Sequence, residues 1–429
     1  MSAVVEAGTA STSVTHPGFL GVGSTPRSLR RWITVIAVVA ALVAATATVL
    51  IAQRSSALAR SAAGTEPLVL DTQMAYTALS DADSSAAGGL LAGPIPPAAV
   101  VAQYRRDIAT AASSVSSAQQ LTSADQKLSA ELQTVAVGLP FYTGLVERAS
   151  SENRLGYPVA SAYLGEASGY LRSTILPAAG SAYSHELAVL GANQRQASQA
   201  GPVAALLLGA VALVVALLAA QLWVRRRFHR TLNVLLVAAT AIVIVTGVVA
   251  GFTISAADGA VASARSSGSV PLAADTQARI LALQVRADDE LTLLTRESVP
   301  GYQTDLASTV VRLEKIVHSQ PDSRVTRAAQ ALTSTHARIR EYVADGEYVS
   351  AVALAVTPTT QPPAGLPQAS QALDDALSAA VASAQTSFET STAAAHERVG
   401  VLVGGVGAAV TMAGLLAVLG LLARLREYR

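Results

Sequence analysis

"PVAALLLGAVALVVALLAAQLWVRRRFHRTLNVLLVAATAIVIVTGVVAGFTI", Pro202 to Ile254, decides the fold. It holds two apolar runs, Pro202 to Val224 and Leu232 to Ile254, and neither contains an Asp, Glu, Lys, Arg or His. A helix needs about 20 such residues to cross a bilayer, so each run predicts a membrane span. Between them lies "RRRFHR", a basic turn too short to fold by itself. Two more runs of the same kind stand at Trp32 to Ala52 and Val399 to Leu422.

The basic residues orient these four spans. Arg27, Arg30 and Arg31 precede the first; Arg225, Arg226, Arg227 and Arg230 join the second to the third; Arg424 and Arg426 follow the fourth. Such ends stay cytoplasmic, and Trp32 and Trp223 sit there as interfacial anchors would. The expectation is a multi-pass plasma-membrane protein with both termini inside. The "ALA" at 57–59 would suit a signal-peptidase site, but the apolar core before it exceeds the roughly 7–15 residues of a signal peptide, so the first span is read as retained.

The layout that follows is a structureless inner N-terminus (1–31), spans at 32–52, 202–224, 232–254 and 399–422, an inner loop (225–231) and an inner tail (423–429). Two outer segments, 53–201 and 255–398, remain. Composition agrees: 51% of the 429 residues are hydrophobic and 14% charged, where soluble proteins average about 25% charged. With no cysteine, disulfides, thiol catalysis and cysteine-ligated metals are excluded.

Both outer segments read as helix. In the first, Leu68, Ala75, Leu79, Ala82, Ala86 and Leu90 recur every three or four residues and make one apolar face. That helix should stop at "GGLLAGPIPP". A second should cover about 98–119, and a third should open on a Thr122-x-x-Asp125 capping box and bend at Pro140. A fourth should run into the second span, kinked at Pro177. The second segment repeats the scheme, with breaks at "SVPGY", "HSQPDS" and "TPTTQPPAGLP". The expected fold is all-α: four transmembrane helices and two extracytoplasmic four-helix-bundle-like domains built on extensions of the spans. Asp71-Thr72-Gln73 and Asp275-Thr276-Gln277 fall at similar heights in the two halves, which points to an internal duplication.

Catalytic chemistry is hard to find. The six histidines are scattered, and His185-Glu186 lacks the second histidine of a zinc-protease helix. Asp81-x-Asp83 lacks the glycine and glutamate of a calcium loop, and with Asp288-Asp289-Glu290 it is read as a solvated helix face. No phosphate loop or nucleophile elbow occurs. The reading is therefore non-enzymatic, with no cofactor and no metal. The spans carry no ionisable residue, which argues against a transport path. Gly247/Gly251 and Gly400/Gly404 have the spacing of close-packing pairs. Both outer segments carry more acid than base, so nucleic acid is not an expected partner. Arg105, Arg106, Arg148, Arg154 and Arg172 fit a carboxylate ligand, or equally surface pairs with Asp107, Glu147 or Glu166; the surface pairs are the preferred reading.

Outer helical bundles between two spans resemble the four-helix sensor domains of bacterial chemoreceptors. The stretches "YTALSDADSSAAGGLLAG", "QYRRDIATAAS", "ALQVRADDELTLLTRES", "GEYVSAVALAV" and "RLREYR" are similar to the GlnX family of actinobacterial membrane proteins. That resemblance implies a relay between two partners. One is an extracytoplasmic solute-binding lipoprotein (GlnH-like, for acidic amino acids); the other is a soluble Ser/Thr kinase (PknG-like). It also leaves room for a homodimer. The expected outer contact is the distal tip: Pro94, Ile95, Pro96, Asn153, Arg154 and Tyr157. The expected inner dock is Arg225, Arg226, Arg227, Arg230, Arg424 and Arg426. An envelope scaffold and an accessory subunit of an amino-acid importer are the alternatives.

Overall fold

A computed structural model describes residues 25–60, 64–122, 125–197, 200–228, 233–295, 300–320, 322–359 and 364–426. All the regular structure among them is helical. The first half of the chain holds α1 (Thr25–Arg60), α2 (Glu66–Leu91), α3 (Ala98–Leu121), α4 (Gln126–Arg154), α5 (Val159–Tyr170), α6 (Leu176–Ala197) and α7 (Ala200–Phe228). The second holds α8 (Val234–Ser263), α9 (Val270–Thr295), α10 (Pro300–His318), α11 (Ser323–Ala344), α12 (Tyr348–Val356) and α13 (Leu366–Arg426). Four helices are long and apolar enough to cross a membrane: Arg30–Ser56, Ala204–Arg226, Val234–Thr295 and Leu366–Ala423. The fold is that of an all-α membrane protein.

The chain divides into two compact units. The described residues up to Val49, Gly201–Gly251 and those from Gly404 onward make the span unit; Leu50–Ala200 and Phe252–Val403 make a larger one. In the span unit, small residues let the helices approach. A β-carbon at Gly209 would lie 3.2 Å from Val43, and one at Gly414 would lie 2.9 Å from the β-carbon of Ala40. Asn233 Nδ2 donates to the Gly420 carbonyl at 2.9 Å, and Gln221 Nε2 to Thr240 Oγ1 at 3.0 Å. At three of the glycines singled out by spacing, Gly247, Gly251 and Gly400, an added methyl would meet nothing within 4 Å. A GxxxG spacing says which glycines share a helix face, but not that a neighbour sits on it.

Within the larger unit the two halves follow one plan. Asp125 caps α4, accepting from Lys127 and Leu128 N–H, and Asp322 caps α11 in the same way through Arg324 N–H. The cap of α4 is thus Asp125 itself; Thr122, expected to open that helix, instead ends α3. Pro140 lies inside α4 without ending it. Helices α4 and α11 both close in Schellman motifs with glycine at positive φ. Tyr157 N–H donates to Glu152 O (3.0 Å) beyond Gly156, and Glu347 N–H to Tyr342 O (2.8 Å) beyond Gly346.

Prolines mark a further shared feature. Short π-helical turns end at Thr65, Ile175 and Ser269, each two residues before Pro67, Pro177 or Pro271. A proline in a helix has no N–H to give to the carbonyl four residues back, and a π turn accommodates that loss without ending the helix. The irregularity expected at Pro177 is therefore a π turn just upstream of it.

The two halves do not fold apart; they share one unit, joined along α2 and α9. Arg54 forms an ion pair with Asp258, and farther along the side chains of Arg286 and Glu290 close on Gly88. Both contacts advance along the two chains together, so the helices run parallel. Each half's core also takes in the other: Leu291 and Leu294 pack in the first, around Leu79, Tyr142 and Leu164, and Leu91 packs in the second, around Leu332, Ile339 and Leu373.

Candidate functional site

The seam between α2 and α9 is polar and buried. Asp83 is 3% exposed, and Asp288, Asp289 and Glu290 are 5%, 1% and 1% exposed. These carboxylates were expected to face solvent, and the structure corrects that. The reason is geometric: Asp83 lies four residues after Leu79, on the apolar stripe itself, where Ser168 and Arg172 of its own bundle close on it, while the other face of α2, at Gly88, is covered by Arg286 and Glu290 of the second half.

Buried carboxylates need partners, and each half supplies some of them. Arg172, on the π turn after α5, donates through Nε and Nη2 to Asp83 Oδ2 (both 3.1 Å) and through Nη1 to Asp288. Ser168 Oγ also donates to Asp83, at 2.7 Å. Asp289 meets His336 Nδ1 at 2.9 Å, and Glu290 accepts from Arg286 Nε at 3.0 Å. Arg279 binds Asp374 through Nε and Nη2. On the first-half side, Gln103 Nε2 donates to Asp107 (2.7 Å) and Asp81 (3.3 Å), while Arg106 donates to Gln103 Oε1 at 2.6 Å. Burial, reinforced by the neighbouring Asp81, pushes Asp107 up to about 8. Burial also raises Asp81, with Asp374 adding to the effect.

Two cavities flank the α2–α3 corner. One, of about 280 Å³, opens at the tip and is lined by Pro94, Ile95, Pro96 and Arg154 together with Tyr104 and Glu147. Four of the six predicted tip residues thus come together there. Asn153 lies at the same end, where its Nδ2 donates to the Gly93 carbonyl at 2.9 Å and ties the two tip turns together. Tyr157 is exposed on the turn beyond. The other cavity, about 380 Å³, lies between the halves and is lined by side chains of α2, α3, α9 and α13.

Surface pairing does not account for the first-half arginines. Among the described residues no ion pair joins Arg105, Arg106, Arg148 or Arg154 to Asp107, Glu147 or Glu166. Arg105 and Arg154 line the tip cavity, Arg106 lines the inter-half cavity, and Arg148 stacks over the Tyr163 ring at 4.7 Å. Arg172 is the half-buried bridge between Asp83 and Asp288. On the predicted inner dock, Arg225 and Arg226 are exposed at the end of α7; Arg227 lies in α7, Arg424 and Arg426 lie in α13, and Arg230 is outside the described residues.

Residues 57–195 match the family model of an actinobacterial sensor domain. The match covers the end of α1 through α6, the elements that carry Asp83, Asp107 and Arg172. No curated protein matches the chain, and no solved structure does. A sensor domain points to sensing or signalling and to a non-catalytic role.

Sequence reasoning passed over Arg279, Arg286, Asp374 and Gln103. One signal was available. The repeat is longer than Asp-Thr-Gln: Pro67-Leu68-x-x-Asp71-Thr72-Gln73 recurs as Pro271-Leu272-x-x-Asp275-Thr276-Gln277. Aligned on it, Leu68 and Leu272, Thr72 and Thr276, and Leu79 and Leu283 are all buried.

Proposed function

We propose that the chain is a non-enzymatic transmembrane signal relay. An extracytoplasmic solute of the amino-acid class, presented by a solute-binding lipoprotein at the tip, changes the packing of the two halves, and a cytoplasmic Ser/Thr kinase reads the change at the basic inner segments. The lipoprotein and the kinase come from the resemblance to the GlnX family, as does the solute class; the orientation comes from the basic flanks.

One observation carries the reading. The sensor-matched region holds Asp288 of the second half through Arg172, and Asp288 sits on a helical run that continues unbroken from Val234. A displacement at the sensor is thereby imposed on a helix with an apolar span at its other end. Switching of this kind needs a packed element with two arrangements, and a seam of charges is costly to leave half-satisfied, so it favours discrete states over gradual ones. Sensing thus belongs to the first-half bundle and transmission to α8–α9 and α13.

The test is a strain lacking this chain, complemented with wild type or with Arg225→Gln/Arg226→Gln, and given pulses of glutamate or aspartate. The relay predicts that labelled amino-acid uptake stays normal while phosphorylation of the kinase's substrates stops responding, both in the deletion and in the variant. Lost uptake would indicate an importer subunit. Altered envelope morphology with a normal phosphorylation response would indicate a scaffold.

A further inference from the structure

The inter-half cavity combines fixed guanidinium groups with carboxylates in a volume of about 380 Å³. Three arginines line it: Arg106 from α3, and Arg279 and Arg286 from α9. Two acids face them, Asp81 from α2 and Asp374 from α13, with Gln103 between Asp81 and Arg106. The lining therefore carries three guanidinium groups and two carboxyl groups.

Two of the arginines are held in place by acids, and Arg106 is exposed with its Nη2 donating to Gln103 Oε1 at 2.6 Å. Asp374 grips Arg279 by two nitrogens, and Glu290, only 1% exposed, holds Arg286 by Nε. A guanidinium has five N–H donors, so both keep donors beyond those that the named acids take. Donors fixed in advance lose little freedom when a planar anion arrives, which is why arginine forks select carboxylates. Asp81 stands on the opposite wall, and among the described residues Gln103, at 3.3 Å, is its one hydrogen-bond donor. It is thus a seat for a cation of limited size.

We propose that this cavity binds a small solute bearing a carboxylate and an ammonium group, an amino-acid-type zwitterion, directly between the two halves. The carboxylate meets Arg106 and Arg286, and the ammonium meets Asp81. This inference rests on the sensor reading and deepens it: the chain itself holds the solute, whether or not a binding protein presents it. Since α2 and α3 come from one half and α9 and α13 from the other, occupation cross-links the halves at the seam.

The experiment uses the full chain in lipid nanodiscs, titrated calorimetrically with L-glutamate, L-aspartate, L-glutamine, glycine, succinate and putrescine. At least one amino acid is expected to bind saturably. Succinate, lacking the amine, should bind more weakly than that amino acid, and putrescine, lacking a carboxylate, should not bind. Arg106→Ala and Arg286→Lys should each weaken binding about tenfold or more, the loss of one charge-assisted pair. Glu147→Gln, in the tip cavity, should not weaken it. Melting of each variant without solute separates misfolding from loss of the site. The proposal is overturned if no amino acid binds, or if binding is unchanged in the folded Arg106→Ala and Arg286→Lys proteins. If wild-type cells respond to a solute that the purified chain does not bind, direct binding fails and the relay stands. If the chain binds a solute that never alters phosphorylation in cells, the relay fails and the site stands.

Discussion

Arg54 pairs with Asp258, 204 positions further along the chain. The same spacing separates Pro67 from Pro271 and Asp71 from Asp275. An ion pair between α1 and α8 and a repeat in α2 and α9 share one offset because these successive elements of the two halves run side by side in parallel. Along the seam between the halves, Arg172 of the first binds Asp288 of the second.

Arg172 is the keystone of this seam. Arg172→Ala leaves Asp83 and Asp288 in the interior without their cation, which should cost about 3–5 kcal/mol. A thermal melt of the purified chain reads this as a large fall in midpoint. The triple change Asp83→Asn, Arg172→Met, Asp288→Asn removes every charge of the cluster and should recover much of the loss. A melt in which Arg172→Ala behaves like wild type contradicts the structure.

Gly268 sits where the first and last helices of the second half cross. A β-carbon there would lie 2.7 Å from the Phe388 β-carbon and 2.9 Å from its α-carbon, which is backbone and cannot step aside. Gly268→Ala should destabilise by about 1–3 kcal/mol. Gly144→Ala is the contrast: it lies in α4 with nothing within 4 Å, and should be neutral or stabilising by up to about 1 kcal/mol. Equal effects of the two changes would refute the close crossing.

Stability should depend on pH through carboxyl groups that fold in their protonated form. Asp107 rises from 3.8 to about 8 by burial and the nearby Asp81, and Glu66 from 4.5 to about 7 by burial and Glu389. For a folded-state value above the unfolded one, the folded form binds more protons across the interval between them. The contribution is full below the unfolded value and is lost as pH climbs through the folded one. The melting midpoint should therefore fall between about pH 4 and 8, and Asp107→Asn should flatten that fall. Asp125 acts the other way, since the Leu128 N–H and His185 hold it low, but its contribution changes only at more acid pH. An unchanged slope in Asp107→Asn would assign the dependence elsewhere.

At the tip, Ile95 is 89% exposed. Ile95→Glu should leave folding within about 0.5 kcal/mol of wild type, because the side chain packs on little. If a binding protein docks there, the same change should abolish its crosslinking to this chain in cells. Retained crosslinking would move the dock away from the tip.

Much of this fold was legible in the sequence because its determinants are local. Apolar length announces the spans, proline and glycine punctuate α2 and α3, and Asp-Thr-Gln marks matching positions in the two halves. What stayed hidden is what lies between halves. Periodicity located the apolar stripe of α2 through Leu79 and Ala86 and puts Asp83 on it, but a carboxylate there reads as solvent-facing until Ser168 and Arg172 are placed against it. Burial of the second face is a tertiary fact, set by a partner helix about 200 residues away, and no window of neighbouring residues contains it. The tip loops were readable from their turn residues. The inter-half cavity was not, because Arg279 and Asp374 mean little until α9 and α13 are placed together.

The central claim is that the two halves form one unit, paired in parallel with matching heights, and that sensing acts on that pairing. Since the chain has no native cysteine, spin labels can be placed without background at 54 with 258, and at 71 with 275. Pulsed electron–electron distance measurements in nanodiscs should give one short, narrow and similar distribution for both pairs. The solute that binds should alter the 71/275 distribution. Long or broad distributions for either pair would mean two independent bundles, and would contradict the account.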